Sequence, residues 1–271
     1  MTNYMAIQPD LHHNAGYSGV SNFNFTAGKT TVPLLKDELP YVVQHMSVAF
    51  QKRANGSEEY YELVGLQSLS IDKNLFLLPD GRWLGSYTPA IYRSYPFALL
   101  PGKLSNQLQL NIDSECLILE PNENDLRFFT AKNRLTPGLQ KIVNFMTESF
   151  RSRVATLALC KSLNDANLIV PWSITFAEPD ENNKSQEKKL EGLFHIDSDA
   201  LKTLSAEQLA DLNASGALSL AYGQLFSEPR LKGLAQLQTA HRKINQQLPA
   251  QNIQEPDLDE LFGNKDDLFS F

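Results

Sequence analysis

The sequence is poor in the residues that usually announce a chemistry. Its 271 residues hold two cysteines, Cys116 and Cys160, far apart and outside any CxxC or Cys/His cluster, so a structural zinc is not expected. Their isolation favours two reduced, partly buried thiols in a reducing compartment, with a single disulfide between them left open. Five histidines are present, none in an HExxH pattern. There is no GxSxG elbow, no GxGxxG fingerprint and no complete phosphate loop. Gly28-Lys29-Thr30 echoes the end of such a loop but lacks the upstream glycine and a preceding apolar strand. Neither a flavin, a haem nor a tightly held transition metal is therefore expected.

Long apolar runs are also missing. No stretch approaches the ~18–20 uninterrupted apolar residues of a membrane helix. The opening "MTNYMAIQPDLHHNAGYSG" has no basic segment followed by an apolar one, so a secretory leader is not expected and a cytoplasmic, soluble protein is. Basic residues are outnumbered: 24 Lys and Arg stand against 31 Asp and Glu, for a net charge of −7 and a pI near 5.3. Duplex affinity comes largely from Lys and Arg neutralising phosphates, so nucleic acid is an unfavoured partner.

What is present describes an architecture. Residues 1–30, rich in Asn, Gly, Ser and Tyr, read as an arm that either lies across the domain or stays mobile. From Val32 short apolar runs ("YYELVGLQ", "NLFLLPDGRWLGSY", "LQLNIDSECLILEP", "DLRFFTA") are broken by Pro79-Asp80-Gly81 and Pro101-Gly102, as strands and hairpins require. "LLKDELPYVVQHM" reads as a short helix. Thr136-Pro137 opens a long helix to about Asn164, with Thr136 as cap and Leu139, Ile142, Val143, Met146, Phe150, Val154 and Leu157 on one apolar face. "LIVPWSITFA" and "LFHID" read as strands joined by a charged loop, "DENNKSQEKKLEG". Ser205 and Gln208 make a capping box for a helix that Gly216 closes. Two more helices follow, the last carrying Leu231, Leu234, His241, Ile244 and Leu248 on one side. The expected fold is α+β: one domain over 31–248, strand-rich to 135 with an antiparallel sheet, and mainly helical from 136. Residues 249–271 are expected to form an acidic, disordered tail.

Asp80 to Gly102 is the densest aromatic segment, with Trp83, Tyr87, Tyr92, Tyr95 and Phe97 around Arg93. These rings suit either a filled core, with Arg93 paired to Asp80, Asp72 or backbone carbonyls, or an aromatic-walled groove with Arg93 at its base. As a groove it would take an anionic or aromatic ligand or a peptide. His195 and Asp197 share a face of one strand without a third partner; His12, His13 and His241 read as structural. In the tail, Asp259-Glu260-Leu261-Phe262 is echoed seven residues later by Asp266-Asp267-Leu268-Phe269. That spacing puts both Leu-Phe pairs on one face of a helix, although Gly263-Asn264 weakens it in isolation. The tail reads as a solvated end or as a docking motif for a partner.

"VPLLKDELPYVVQHMSVAF", "LVGL", "NLFLLPDGRW", "YTPAIYRSYPF" and "GLFHIDSDALKTLSAEQLADLNASGALSLAYGQLFS" occur in that order, and together they resemble the SapC family of bacterial proteins. The likeness spans roughly Val32 to Leu234 and is most specific from Asn74 to Phe97. Ser94 departs from it, since a second Arg is common there. The resemblance implies a protein of about this length, named after a surface-layer locus and distinct from the peptide-transporter permease of the same name. It also implies gene neighbourhoods with flavin-dependent halogenase-like proteins. The expected function is a non-enzymatic binding or accessory protein engaging a protein or peptide, a halogenase-like protein among the candidates. An enzyme or pocket-bearing component of a halogenase-associated pathway is the alternative. A surface-layer structural role comes third, because it would need export.

Overall fold

The computed structural model describes residues 3–70, 73–102, 105–179 and 185–247. The fold is α+β, with antiparallel sheets in the N-terminal half and helices in the C-terminal half. The first thirty residues carry β1 (Tyr4–Ala6), α1 (Pro9–His12) and β2 (Gly16–Tyr17), followed by β3 (Thr31–Pro33). A 3-10 turn at Lys36–Glu38 runs into α2 (Leu39–Val42), the short helix expected there. The alternating runs that follow make the hairpin of β4 (Val48–Asn55) and β5 (Glu58–Leu66).

Beyond the hairpin the chain forms α3 (Ala90–Arg93), β6 (Phe97–Gly102), β7 (Ser105–Asp113), β8 (Leu117–Ile118) and β9 (Leu126–Arg127). The long helix α4 (Pro137–Asp165) leads to β10 (Ile169–Pro179) and β11 (Ser185–Ile196). α5 (Ser198–Lys202), α6 (Ala206–Ser215), α7 (Ala217–Ser227) and α8 (Leu231–Gln247) complete the described chain. The strands form a five-stranded sheet ordered β10-β11-β4-β5-β3 and two three-stranded sheets, β1-β7-β6 and β8-β2-β9.

Two hydrophobic cores result. The larger lies against the five-stranded sheet and takes Val32, Phe50, Leu63, Leu163, Ile196 and Leu220. The smaller gathers Tyr17, Phe97, Ile112, Phe128, Leu139 and Met146. α4 joins them, giving Leu139 and Met146 to the smaller and Cys160 and Leu163 to the larger.

Four local expectations are corrected. The apolar face of α4 does not continue along one line: its buried stripe swings by about a quarter turn between its two halves. Thr156, Cys160 and Leu163 are buried, while Phe150 and Val154 are 42% and 55% exposed. The two cores lie on different sides of the helix, which the periodicity could not register. Thr136 occupies the N-cap position without capping; its hydroxyl donates to the Arg127 carbonyl at 3.0 Å. Residues 185–192 of the charged loop are strand, because β10 supplies a ladder from Pro179↔Ser185 to Ile169↔Ile196, and Glu187, Lys188, Lys189 and Glu191 are exposed on it. Finally, "NLFLLPDGRWLGSY" is no regular strand. It holds one bridge, Leu77↔Trp83, around the Pro79-Asp80-Gly81 turn, where Gly81 takes φ 85 and donates to the Leu78 carbonyl at 2.9 Å.

Helix ends behave as their residues dictate. Ser205 Oγ accepts from Gln208 N–H at 3.2 Å while Gln208 Oε1 accepts from Ser205 N–H at 3.0 Å. Gly216, at φ 86, ends α6 in the left-handed region.

Candidate functional site

The Asn74–Phe97 segment is built inward from its own polar groups. Asn74 is buried; its Nδ2 donates to Thr26 Oγ1 at 2.9 Å and its Oδ1 accepts from Phe76 N–H at 3.0 Å. The bond to Thr26 fastens the segment to the first thirty residues. Trp83 Nε1 donates to the Tyr87 carbonyl at 2.9 Å, folding the chain back on itself. The rings of Phe23, Phe76 and Tyr92 surround the indole at 5.8, 5.4 and 5.6 Å.

The structure separates the six residues that the sequence groups together. Trp83 and Tyr92 pack in or against the larger core, and Tyr92 donates to Gln67 Oε1 at 2.7 Å. Phe97 belongs to the smaller core, edge-on to Tyr17 at 4.8 Å. Tyr95 stacks on Phe25 at 3.7 Å and donates to Asp113 Oδ2 at 2.8 Å. Burial raises the hydroxyls of Tyr92 and Tyr95 far above the ordinary phenol range, so both remain donors. Tyr87 packs against the larger core while its hydroxyl reaches the rim, where Arg93 is exposed.

Arg93 has a different partner from those expected. Asp80 is taken by Arg82, Nε to Oδ2 at 2.6 Å, and Asp72 lies outside the described residues. Arg93 is exposed and its Nη2 donates to Tyr87 OH at 3.0 Å. Its guanidinium carbon stands 5.4 Å from the Tyr87 ring centre and 4.8 Å from that of Phe145 on α4. Tyr41 of α2 stacks on Tyr87 at 5.5 Å, with planes 9° apart.

Beneath this rim lies a carboxylate that the sequence reading missed. Glu38 is buried, and three donors converge on it: Ala90 N–H at 2.7 Å and Tyr87 OH at 3.0 Å on Oε1, and Leu35 N–H at 2.8 Å on Oε2. Burial outweighs these bonds and the nearby Arg93 charge, leaving the Glu38 carboxyl above its usual range. Burial and the Glu38 charge push the Tyr87 hydroxyl up to about 12. At neutral pH Tyr87 is therefore a fixed donor, and Glu38 is a hub for the start of α3. Glu38 is the last of three consecutive charged residues, Lys36-Asp37-Glu38, set between apolar runs, and nothing in that pattern marks which of them is buried and demands partners.

His195, His241 and His12 are tied into the scaffold. His195 Nδ1 lies 2.9 Å from Glu228 Oε1, and its ring stacks on Trp172 at 5.2 Å. Asp197 does not pair with it but caps α5, accepting from Asp199 and Ala200 N–H. Glu228 also accepts from Gln224 Nε2 at 3.1 Å, and Gln224 Oε1 accepts from Ile196 N–H at 2.9 Å. His241 Nε2 meets the Leu75 carbonyl at 2.8 Å and is lowered by burial, while His12 Nδ1 accepts from Gln8 N–H at 3.0 Å. Among the described residues, no group of three or more His, Cys, Asp and Glu is placed to hold a metal, and no helix is long and apolar enough to cross a membrane. Leu261, Phe262, Leu268 and Phe269 lie outside the described residues.

Among known proteins, a family model described as SapC matches residues 7–234. The chain belongs to the SapC family. No curated protein and no solved structure matches it.

Proposed function

We propose that this SapC-family protein is a binding or accessory protein that engages a protein or peptide partner inside the cell through the Tyr41–Tyr87–Arg93 rim. One observation carries this reading. Arg93 is exposed yet held, by a hydrogen bond to Tyr87 OH and by rings on two sides, beside Tyr41 and Ile91 at 58% and 47% exposure. Tyr and Arg dominate interface energetics because each offers a broad contact area and directed polar groups. A guanidinium already fixed by its neighbours loses less freedom when a partner binds.

The buried neighbours support a binding reading in a second way. Trp83, Tyr92 and Phe97 are engaged with other rings, and the lone pairs of Glu38 are engaged by the scaffold. Recognition then falls to what projects from the rim. The two thiols, Cys160 inside the larger core and Cys116 against the smaller, fit a reducing compartment.

The test is affinity capture from the native cell with mass spectrometry, using full-length wild type, Arg93→Ala and Tyr41→Ala. Both variants should lose the same co-purifying protein while melting like wild type. A halogenase-like protein in the wild-type capture would give the partner suggested by the family's gene neighbourhoods. Unchanged capture by both variants would refute the proposal.

A further inference from the structure

A second surface, on α7, points to a different occupant. α7 buries Ala217, Leu220, Ala221, Gln224 and Ser227, and turns Tyr222 and Phe226 outward. The two rings stack one helical turn apart, 5.9 Å between centres and 20° between planes. Phe226 is 71% exposed. A stacked aromatic pair left in water is a costly arrangement unless something covers it.

Charge indicates what covers it. Residues 217–247 contain one acid, Glu228, against Arg230, Lys232, Arg242 and Lys243. Glu228 is engaged with His195 and Gln224, and Lys232 is exposed at the start of α8. Residues 248–271 have the opposite character, with six carboxylates against the single Lys265. The same segment carries Leu261-Phe262 and Leu268-Phe269, seven residues apart, a spacing that would bring both pairs to one face of a helix.

Reach permits a return within the same chain. α8 has 17 residues, so it spans about 25 Å at the usual helical rise. Residues 248–260 can extend to about 43 Å, more than the way back along α8 to the end of α7. A segment tethered this closely meets its own surface at an effective concentration of about millimolar, which favours its own chain over a second copy in dilute solution.

We propose that the C-terminal segment folds back on its own chain and seats its Leu-Phe pairs on the Tyr222–Phe226 face of α7, its carboxylates toward Arg230 and Lys232. This contact is independent of the Arg93 rim.

A photo-cross-linking phenylalanine analogue replacing Phe226 in the dilute full-length protein tests it. The position is exposed, and a melting curve checks that the fold is kept; the same probe at Tyr222 serves as a second arm. Irradiation should join the probe to peptides from 248–271 in a product that migrates as a monomer. Changing Leu261, Phe262, Leu268 and Phe269 to Ala should lower that yield about tenfold, because the apolar anchors carry the contact. Cross-links found only in covalent dimers, cross-links that avoid the tail, or an undiminished yield from the quadruple variant would each overturn the proposal.

Discussion

The two cores solve the same packing problem with different materials. The larger is mainly aliphatic but threaded with buried polar side chains that join distant parts of the chain. Gln224 bonds the backbone of both Val48 and Ile196, Ser227 Oγ accepts from Val48 N–H at 2.8 Å, and Glu38 receives α3. The smaller rests on rings, with Phe128 stacked on Tyr17 at 5.6 Å and Phe97 edge-on to both. Directed hydrogen bonds specify one arrangement of the larger core, because an unpaired buried polar group is costly. Rings hold the smaller core by area, which tolerates small shifts but not the loss of a ring.

Phe128→Ala should have the largest effect, a loss of about 3–5 kcal/mol on denaturant unfolding. It also tests whether α4 couples the cores. Trp83 and Trp172 both pack against the larger one, so tryptophan fluorescence reports on the region that the substitution does not touch. Coupling through α4 predicts that the fluorescence midpoint falls with the rest of the molecule. A fluorescence midpoint left at its wild-type value would show that the two cores unfold separately.

Glu38→Gln comes next, at about 1–3 kcal/mol, because the new amide presents N–H where Leu35 N–H needs an acceptor. Its pH dependence sharpens the contrast with the ring-built core. Burial raises the folded-state pKa of Glu38, so the folded protein holds that proton more tightly than the unfolded chain. This contribution is complete below the ordinary carboxylate value and is lost as pH rises through the folded value. Wild type should lose stability relative to the Gln variant across that window, as pH-dependent melting would show. Parallel curves would mean that Glu38 titrates alike in both states.

Arg93→Ala should cost less than about 1 kcal/mol, since an exposed guanidinium over rings contributes little to folding. A loss as large as that of Phe128→Ala in thermal denaturation would place Arg93 among the core's supports instead. The mildest perturbation is chemical. Cys160, buried in the larger core, has its thiol pushed up to about 12 by burial, whereas Cys116 is half-buried at the edge of the smaller. Native protein treated with an alkylating agent at mildly alkaline pH should be modified at Cys116 first, with Cys160 protected until unfolding. Equal labelling by mass spectrometry would show that the larger core opens as readily as the smaller.

Legibility followed distance along the chain. The Ser205–Gln208 box, the Gly216 stop and the Pro137 start lie within a few residues of what they control, and the structure keeps each in that place. Partners far away could not be read. Glu38 meets Ala90, and His195 meets Glu228 rather than its neighbour in sequence, Asp197. The aromatic density of Trp83 to Phe97 marked a structurally important segment but not its division, since rings look alike whichever core receives them. The run before it broke its strand pattern for a local reason, the Pro79-Asp80-Gly81 turn, yet the return of Leu77 onto Trp83 needed the folded chain.

By itself the sequence determined the class of fold, the helical C-terminal half and most helix ends. Periodicity, capping side chains and the conformational needs of Gly and Pro are properties of a few adjacent residues. It also determined the charge contrast between residues 217–247 and the acidic end, which needs only counting. The tertiary structure alone decided which face of α4 is buried along its length, which acid stands under Tyr87 and Arg93, and which rings face water. Those outcomes depend on which surfaces meet. Burial energy and hydrogen-bond satisfaction belong to the pair in contact, and a chain carries no local mark of a partner it reaches only by folding.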